Sequence, residues 1–523
     1  MAFLQRQMNR GSVSTGYDID NSIKFEADNT EYLKWTDFDD YASDARKKKF
    51  SFSLWCKRTE LSVQQLIWNS GANGYLSFEA GDVIKWQQQY GGVAKTLNTN
   101  RVFRDINAWY HIIVAVDSTQ ATEANRVRLY VNGVEETSFS SATYPSQNAT
   151  ADNVYGDYLS LGRSVAWGAG FCGYVADYLF VSEVQLVPTD VGEFDEDSGI
   201  WKPIAYTGTV STPSHFLEFK DSSDLGTATS GLDADTMNNI AAADQATDTP
   251  TNNFCTLNPL SYNVPYTASQ GNTKWSKSDT TYGMASGTHY VGAGKWYWEI
   301  KATDFGTYSS CSFGILDAAK TTVSANERGY EDPSLSANNL EILAMSGAPN
   351  GWFMNSNSTI SNNGSTNSVD YTFNEGDILA FALDMDNGAY WMGNSRYTGI
   401  ANGSFWIAPG GTSTSGSVAT TDPTNGNYAL VGDGGGTNNG TPNFNGGSIN
   451  GGSLLTAGFT LVTPLLGAYH SNTTVTLEVN FGGFTSYAED GGYADANGHG
   501  NFAYAVPSGF YSLCSKNIAE YGG

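Results

Sequence analysis

The residues WYHIIVAVD at 109–117 and RVRLYVNGVEE at 126–136 are the most informative part of this sequence for its fold. The first stretch is rich in β-branched and aromatic residues, which favour strands. The second contains Asn132-Gly133, a dipeptide that suits a type I′ hairpin because both of its central positions need positive φ. The two stretches therefore predict a long strand followed by a tight antiparallel hairpin.

Short strands of the same kind recur along the chain, for example at 51–55, 173–181, 295–301 and 475–482. Glycine accounts for 58 of 523 residues and aromatic residues for 13%, a composition that argues against disorder. Helical periodicity is nearly absent; we predict one short helix at 184–188, ended by its proline. The predicted fold class is all-β, with two antiparallel, jelly-roll-like β-sandwich domains joined by an extended connector.

A first resemblance rests on Trp109-Tyr110-His111, Leu129-Tyr130-Val131-Asn132-Gly133, Leu161-Gly162 and the segment from Gly173 to Tyr178. In this order they resemble the laminin G/concanavalin A-like jelly-roll family, over about residues 21–190. The resemblance implies a two-sheet sandwich of a kind often used to bind glycans or proteins.

A second resemblance lies in the C-terminal half. The series KWYWE (295–299), CSFGI (311–315), DILAFALDMDNG (377–388), VNFG (479–482) and PSGF (507–510) resembles the SPRY domain. It implies a protein-interaction sandwich over residues 261–523, which departs from the family in a Gly-rich insertion near 397–460. We expect residues 1–20 to form an N-terminal arm. Residues 191–260 are expected to form an extended connector that wraps along the first sandwich.

The order of these parts resembles virion structural proteins of tailed bacteriophages, such as tail fibres or capsid and tail appendages. The segment 248–259, which begins with DTPTNNF and ends with Leu-Asn-Pro, carries most of that resemblance. It implies a structural or adhesive protein of the virion, assembled in the host cytoplasm. The N-terminal arm would then contact other virion proteins, and we expect a homo-oligomer.

Charge and cysteine usage exclude several classes. The net charge of −26 repels nucleic acid and anionic membrane surfaces, so neither is an expected partner. No stretch approaches the ~20 apolar residues of a membrane helix, and no signal peptide is recognisable. The five cysteines are scattered at 56, 172, 255, 311 and 514, which favours buried free thiols over a disulfide framework.

The resemblance also leaves catalysis as an alternative, because concanavalin A-like folds include laminarinase-type glycosidases. These enzymes use a Glu-x-Asp-x-x-Glu strand. The nearest match begins at Glu193 and Asp195, but the last position is Ser198 and a Ser-Gly turn follows. The five histidines show no zinc-ligand spacing. We therefore predict that the protein is not an enzyme and interpret this segment as a solvated acidic turn.

No cofactor is predicted, although calcium is left open. The segment from Asp384 to Gly388 is similar to the start of an EF-hand loop but has Ser395 where the last ligand would be glutamate, so a hairpin turn is the preferred interpretation. Asp117 lies at the end of its strand, a position at which laminin G-like domains could offer a calcium ligand. The match does not assign a calcium site to it.

Glycan binding would need aromatic platforms in turns. Four aromatic residues in turn-like contexts are the candidate ligand-binding residues: Tyr90, Trp167, Trp352 and Trp406. The favoured function is a phage virion protein that binds a neighbouring virion protein or a host-surface glycan. The alternatives left open are a laminarinase-type glycan-degrading enzyme and a soluble lectin.

Overall fold

A computed structural model of the chain describes residues 16–36, 41–154, 157–166, 168–260, 266–278, 282–304, 310–317, 351–355, 359–362, 365–368, 373–397, 405–406, 423–425, 459–469, 474–485, 487 and 492–522. The chain forms two compact units, the first ending at Asn253 and the second beginning at Phe254. In the described residues of both units nearly all regular secondary structure is β-strand, which confirms the predicted all-β class.

The strands of the first unit are β1 (Ser22–Phe25), β2 (Tyr32–Trp35), β3 (Lys49–Arg58), β4 (Gln65–Ser70), β5 (Gly74–Phe78), β6 (Val83–Tyr90), β7 (Val93–Val102), β8 (Trp109–Asp117), β9 (Val127–Val131), β10 (Val134–Glu135), β11 (Phe139–Ala142), β12 (Leu159–Leu161), β13 (Gly173–Ser182), β14 (Gly192–Phe194), β15 (Trp201–Pro203), β16 (His215–Leu217), β17 (Ser230–Gly231), β18 (Thr236–Asn238) and β19 (Gln245–Ala246). One α-helix, α1 (Asp44–Lys48), precedes β3. Short 3-10 turns lie at Ala27–Asn29, Glu123–Asn125, Pro188–Asp190 and Ala242–Asp244.

Two antiparallel sheets make the sandwich. Sheet I has the order β10-β9-β8-β3-β13-β1-β19, with β16 and β17 added beside β13. Sheet II has the order β11-β7-β6-β5-β4-β12-β2-β18, and β14 and β15 form a separate hairpin. Asn132 and Gly133 both have positive φ and join β9 to β10, as the sequence predicted.

The core of this unit lies between the sheets and follows from strand alternation, which sends every second side chain to the same face. On sheet II the inward side chains of neighbouring strands meet in register and are all apolar: Leu33, Leu161, Trp68, Leu76, Trp86 and Leu97. Each of these side chains is buried.

Most of the segment predicted as a connector, residues 191–260, lies inside the first unit. β16 pairs with β13, β18 with β2 and β19 with β1, so the segment extends both sheets. The predicted helix at 184–188 is wrong: the 3-10 turn starts at Pro188. Proline is suited to the first position of a helical turn, where its missing N–H is not needed.

The strands of the second unit are β20 (Leu257–Asn258), β21 (Thr267–Ser269), β22 (Lys274–Lys277), β23 (Tyr282–Gly287), β24 (Lys295–Asp304), β25 (Ser310–Asp317), β26 (Gly351–Asn355), β27 (Thr359–Asn362), β28 (Ser365–Ser368), β29 (Ile378–Asp384), β30 (Ala389–Asn394), β31 (Val462–Tyr469), β32 (Val475–Asn480) and β33 (Tyr511–Ser512). A helix, α2 (Ser515–Tyr521), follows, and 3-10 turns lie at Ser395–Tyr397 and Pro423–Asn425.

These strands form a second sandwich. Sheet III has the order β20-β23-β31-β25-β26-β27-β28, and sheet IV has the order β21-β22-β32-β24-β29-β30, with β33 parallel to β24. The buried Glu299 of β24 accepts hydrogen bonds from the backbone N–H groups of Ala503 and Tyr504, which attaches the C-terminal segment to sheet IV. Most of the predicted Gly-rich insertion, 397–460, lies outside the described residues.

Candidate functional site

The outward face of sheet II carries an unbroken cross-strand row of polar side chains. The row crosses seven of the eight strands of the sheet and contains seven residues in register with one another: Thr236, Lys34, Ser160, Asn69, Tyr75, Gln87 and Thr96. Thr143, the residue after β11, continues it, since its Oγ1 accepts a hydrogen bond from the Thr96 N–H. It lies one residue away from the apolar row that faces the core. Alternation therefore makes one face of the sheet the interior and leaves the other polar.

A second, shorter row lies beside the first and contains Ser77, Lys85, Asn98 and Ser141. We call the two rows together the polar face. No aspartate or glutamate belongs to either row, although the chain contains 53 acidic residues. A carboxylate lies at the edge of the second row, where Glu79 Oε1 accepts a hydrogen bond from Ser77 Oγ (2.6 Å). The polar face is thus made of hydroxyl and amide groups, two lysines and one tyrosine.

Contacts within the polar face hold several of its side chains in place. The Tyr75 hydroxyl donates to Gln87 Oε1 (3.1 Å), and Gln87 Nε2 donates to the Asn73 carbonyl (3.4 Å). Lys85 Nζ lies 5.2 Å from the centre of the Tyr75 ring, within the range of a cation–π interaction. A site with side chains held this way loses less conformational entropy when a ligand binds.

Two amide oxygens on the polar face have no hydrogen-bond partner among the described atoms: Asn69 Oδ1 and Asn98 Oδ1. Asn69 is fully buried and its Nδ2 donates to the Gly74 carbonyl (2.8 Å). A buried acceptor without a partner costs free energy, which a water molecule placed there would recover. Because both oxygen atoms are themselves buried, we expect a ligand to contact partly exposed side chains of the face such as Lys85 and Gln87.

Both lysines of the polar face lie over tyrosine rings. Lys34 Nζ is 5.0 Å from the centre of the Tyr158 ring, which parallels the pair formed by Lys85 and Tyr75. Within the described part of the chain neither lysine takes part in an ion pair, so both positive charges are available to an anionic group.

Two of the four aromatic residues predicted to bind ligand have described side chains, one in each unit. Tyr90 ends β6 with its side chain in the core, 6% exposed, and the adjacent turn is held by Asp152, which accepts from the N–H groups of Gly91 and Gly92. Burial raises the pKa of the Tyr90 hydroxyl. Trp406 is half-buried and packs edge-on against Phe405.

The other two predicted residues give less information. Trp167 lies outside the described residues. The backbone of Trp352 lies in β26, opposite Ile315, and its side chain is likewise outside what the structure describes. Trp352 is on sheet III, whereas Trp406 pairs with Gly393 of sheet IV, so the structure does not place them on one sheet. Ligand binding by these four residues stays a prediction.

The polar face was missed from the sequence, although a signal was present. In β6 the sequence VIKWQQQY places Ile84, Trp86 and Tyr90 inward and Lys85, Gln87 and Gln89 outward. A search for aromatic residues in turns does not detect this pattern of uncharged amides at alternate positions of a strand.

His111 lies on the outward face of sheet I, between Trp55 and Trp201. Trp201 Nε1 donates to His111 Nδ1 (2.9 Å), so the proton of the neutral ring lies on Nε2 and is donated to Ser53 Oγ (2.7 Å). Burial lowers the pKa of His111 to about 3. In this tautomer His111 cannot take a proton from Ser53, so the pair does not form an activated nucleophile.

The carboxylates of Glu193 and Asp195, the nearest match to a glycosidase motif, lie on the β14–β15 hairpin. Lys202 Nζ is 3.2 Å from Glu193 Oε1 and 3.3 Å from Asp195 Oδ2. Asp195 also accepts from the Ser198 N–H and hydroxyl, and these bonds lower its pKa to about 2. A carboxylate held ionised by a turn and a lysine is a poor general acid.

The two segments considered for calcium have other contacts. Asp384 and Gly388 belong to the turn between β29 and β30, where Asp384 accepts from the Asn387 N–H and pairs with Lys295 (2.9 Å). Asp117 accepts from the backbone and hydroxyl of Thr119. Among the described residues, no group of three or more His, Cys, Asp or Glu side chains is arranged to hold a metal ion.

Part of the outward face of sheet I is covered by the chain itself. The Lys57 ammonium pairs with Asp248 Oδ2 (2.8 Å) and with Asn253 Oδ1 (2.8 Å), and Trp109 Nε1 donates to Asp248 Oδ1 (3.2 Å). These acceptors belong to the DTPTNNF segment, so residues that carried the resemblance to virion proteins have a structural role in the first unit. In the described part of the chain, no helix is long and apolar enough to cross a membrane.

Comparison with known proteins agrees with the first sandwich. Residues 27–187 match a family model described as the Concanavalin A-like lectin/glucanases superfamily. The first unit is therefore similar, over these residues, to the laminin G/concanavalin A-like sandwich. No curated protein matches the sequence.

Several solved structures are similar to parts of the chain. They include the SPRY domain of human HERC1 (12% identity, 41% of this chain and 91% of that chain, TM-score 0.23) and the PSpry domain of TRIM65 (13%, 43% and 88%, TM-score 0.25). A heptameric SAP-like pentraxin from Limulus polyphemus is a third (11%, 33% and 80%, TM-score 0.23). At these TM-scores we base no functional argument on the similarities.

Proposed function

We propose that this protein is a carbohydrate-binding protein that acts without catalysis, and that the polar face of sheet II holds the ligand. The observation that carries the proposal is the row of polar side chains in register across seven strands of sheet II, with no carboxylate in the row. The match of residues 27–187 to a lectin/glucanase superfamily supports it.

The dimensions and chemistry of the polar face suit an extended saccharide. Neighbouring strands lie about 4.8 Å apart, so the six steps between the seven strands of the row span about 29 Å. Sugar hydroxyls both donate and accept hydrogen bonds, as do the hydroxyl and amide side chains of this face. The two lysines would add affinity for saccharides that carry carboxylate, phosphate or sulfate groups.

A binding function is favoured over a glycan-degrading one by the state of the acidic groups. Retaining and inverting glycosidases alike need two carboxylates on either side of the scissile bond. The polar face has none, and the carboxylates of Glu193 and Asp195 are engaged by Lys202 on a separate hairpin. Turnover of any host polysaccharide by the unmodified chain would reverse this conclusion.

The more specific proposal is that the protein is an adhesive component of a tailed-phage virion, with host-surface glycan as its ligand. The resemblance of the domain order to virion proteins supports it. Immunogold labelling of purified virions, with antibody against residues 261–523, tests it. Label at the tail would support host recognition and label on the capsid would support a decoration protein. Absence from particles by mass spectrometry would leave a soluble lectin as the better proposal.

The polar face is tested by two substitutions, Asn98→Leu and Lys85→Met. Neither removes a side-chain hydrogen bond found in the described part of the chain, so folding should be little affected. Thr137→Leu, at an exposed position outside the two rows whose side chain makes no hydrogen bond in the described part of the chain, serves as the control.

The full chain is first screened on a glycan array, and affinities for a bound glycan are then measured by calorimetry. Loss of one ligand hydrogen bond costs about 1 kcal/mol, or roughly a fivefold weaker Kd, for Asn98→Leu. Lys85→Met should weaken only anionic glycans, and the difference should shrink at high salt. Unchanged affinities in both variants would show that the ligand binds elsewhere.

A further inference from the structure

The β14–β15 hairpin presents an aromatic side chain to solvent. We call residues 192–203 the acidic hairpin. Phe194 is 50% exposed and packs edge-on against Trp201, with 4.9 Å between ring centres. Trp201 is in turn anchored by its hydrogen bond to His111. The exposed ring therefore stands on a rigid base, which is unusual for a large apolar side chain that serves no contact.

The apolar surface extends beyond Phe194. The Trp201 ring lies directly against Gly133, where a Cβ atom would approach Cε3 to 2.3 Å. Val134, the next residue, is 55% exposed. Phe194, Trp201 and the tip of the β9–β10 hairpin thus form one apolar surface.

The rim of this surface is negative. The acidic hairpin contains Glu193, Asp195, Glu196 and Asp197 against a single lysine, Lys202. Lys202 pairs with Glu193 and Asp195. Glu196 and Asp197 are exposed and take part in no ion pair within the described part of the chain. The complementary partner is therefore both apolar and positively charged.

The chain itself contains a segment with that chemistry. Residues 1–15, MAFLQRQMNRGSVST, contain no aspartate or glutamate, whereas 53 acidic residues occur in the 523 of the whole chain. They carry Arg6 and Arg10, with the apolar side chains of Phe3, Leu4 and Met8 between and before them. Both the sign of the charge and the apolar content complement the acidic hairpin.

The described chain also begins close to this surface. The Tyr17 hydroxyl donates to Asp177 Oδ2 (3.0 Å) on β13. Ala176, next to Asp177, lies in register with Trp55 of β3. Trp55 lies in register with His111 of β8, which accepts the hydrogen bond from Trp201. Two strand spacings amount to about 10 Å, well within the reach of fifteen residues.

We propose that residues 1–15 dock on the acidic hairpin of the same chain, with the apolar side chains on the Phe194 and Trp201 surface and the arginines against Glu196 and Asp197. Tethering favours this occupant over a separate partner because a short linker gives an effective concentration of about millimolar. The docked arm would cover an apolar surface that is otherwise open to solvent.

Hydrogen–deuterium exchange of residues 2–15 in the full chain tests the proposal. The wild-type arm should exchange at least tenfold more slowly than a free peptide of the same sequence. Phe194→Ser and the double substitution Glu196→Lys/Asp197→Lys should each abolish that protection. Adding Arg6→Glu/Arg10→Glu to the second variant should restore it, because the charges are then exchanged between the two surfaces.

Two controls keep the result interpretable. Val93→Ser and Asp28→Lys/Glu123→Lys alter exposed apolar and acidic residues elsewhere in the first unit and should leave the protection unchanged. Unaltered exchange in β8 shows that each variant is folded. An unprotected wild-type arm, or protection that survives in the hairpin variants, would overturn the proposal. Protection that rises with protein concentration, together with a dimer mass by light scattering, would overturn docking in the same chain in favour of a second copy.

Discussion

Replacing Asp177 by asparagine should remove a pH dependence from the stability of the first unit. Asp177 lies at an irregularity of β13, between Ala176 and Leu179, and has a positive φ of 46°. Burial raises the pKa of this carboxyl to about 7, opposed by the hydrogen bond from Tyr17. Glu218 and Asp20 raise the pKa further and Lys220 lowers it, so these are the charged groups that face it.

The direction of the effect follows from linkage between protonation and folding. In the unfolded chain the carboxyl has a pKa of about 3.9, so it ionises there about three pH units earlier than in the folded protein. The stabilising contribution of the protonated form is complete below pH ~4 and is lost as pH rises through about 7. Three units correspond to at most about 4 kcal/mol, and because the side chain keeps some contact with solvent we expect about 2 kcal/mol.

Native-state hydrogen exchange of the β13 amides measures the unfolding free energy of the first unit alone. Between pH 4.5 and 8 the wild-type value should fall by about 2 kcal/mol relative to Asp177→Asn, which mimics the protonated carboxyl. Asp28→Asn, at an exposed position, should follow the wild type. Parallel pH profiles for the wild type and Asp177→Asn would refute the assigned role of Asp177.

Two further substitutions address the packing of sheet I. Lys57→Met leaves Asp248 buried without its cation and should destabilise the first unit by about 3–5 kcal/mol, whereas Lys57→Met/Asp248→Asn should recover part of that loss; urea unfolding of both variants measures the difference. Gly133→Ala places a methyl group against the Trp201 ring at a φ of +77° and should lower the unfolding free energy by more than about 1 kcal/mol, whereas a Gly→Ala change at an unstrained position would raise it by about 0.4–1 kcal/mol. A Gly133→Ala variant as stable as the wild type would show that Trp201 can move aside.

Local patterns predicted a large part of the fold. The hairpin at Asn132-Gly133 and the strand at 109–117 are where the sequence indicated, because turn type and strand propensity depend on neighbouring residues. Pro188 shows the limit of such reasoning: the same residue can end a helix or begin a turn, and the choice depends on what lies around it.

Aromatic residues in turn contexts were harder to assign. Tyr90 precedes two glycines, which suggested an exposed platform, yet its ring faces the core because it continues the inward set of β6. Strand phase, and not the adjacent turn, determined its direction. The same phase placed Gln87 and Lys85 outward, on the face that we propose as the binding site.

By itself, the sequence determined that this protein is all-β, with a laminin G/concanavalin A-like sandwich in its N-terminal half, since alternation and turn chemistry are local properties of the chain. Only the tertiary structure decided which sheet face is available. Sheet I receives Asp248 and Trp201 from residues distant in sequence. On the outward face of sheet II, Lys34, Lys85 and Gln87 stay partly exposed, whereas Asn69, Tyr75 and Ser160 are buried. Whether a sheet face is buried depends on which distant segment of the chain packs against it. The residue pattern within the strands does not predict that packing.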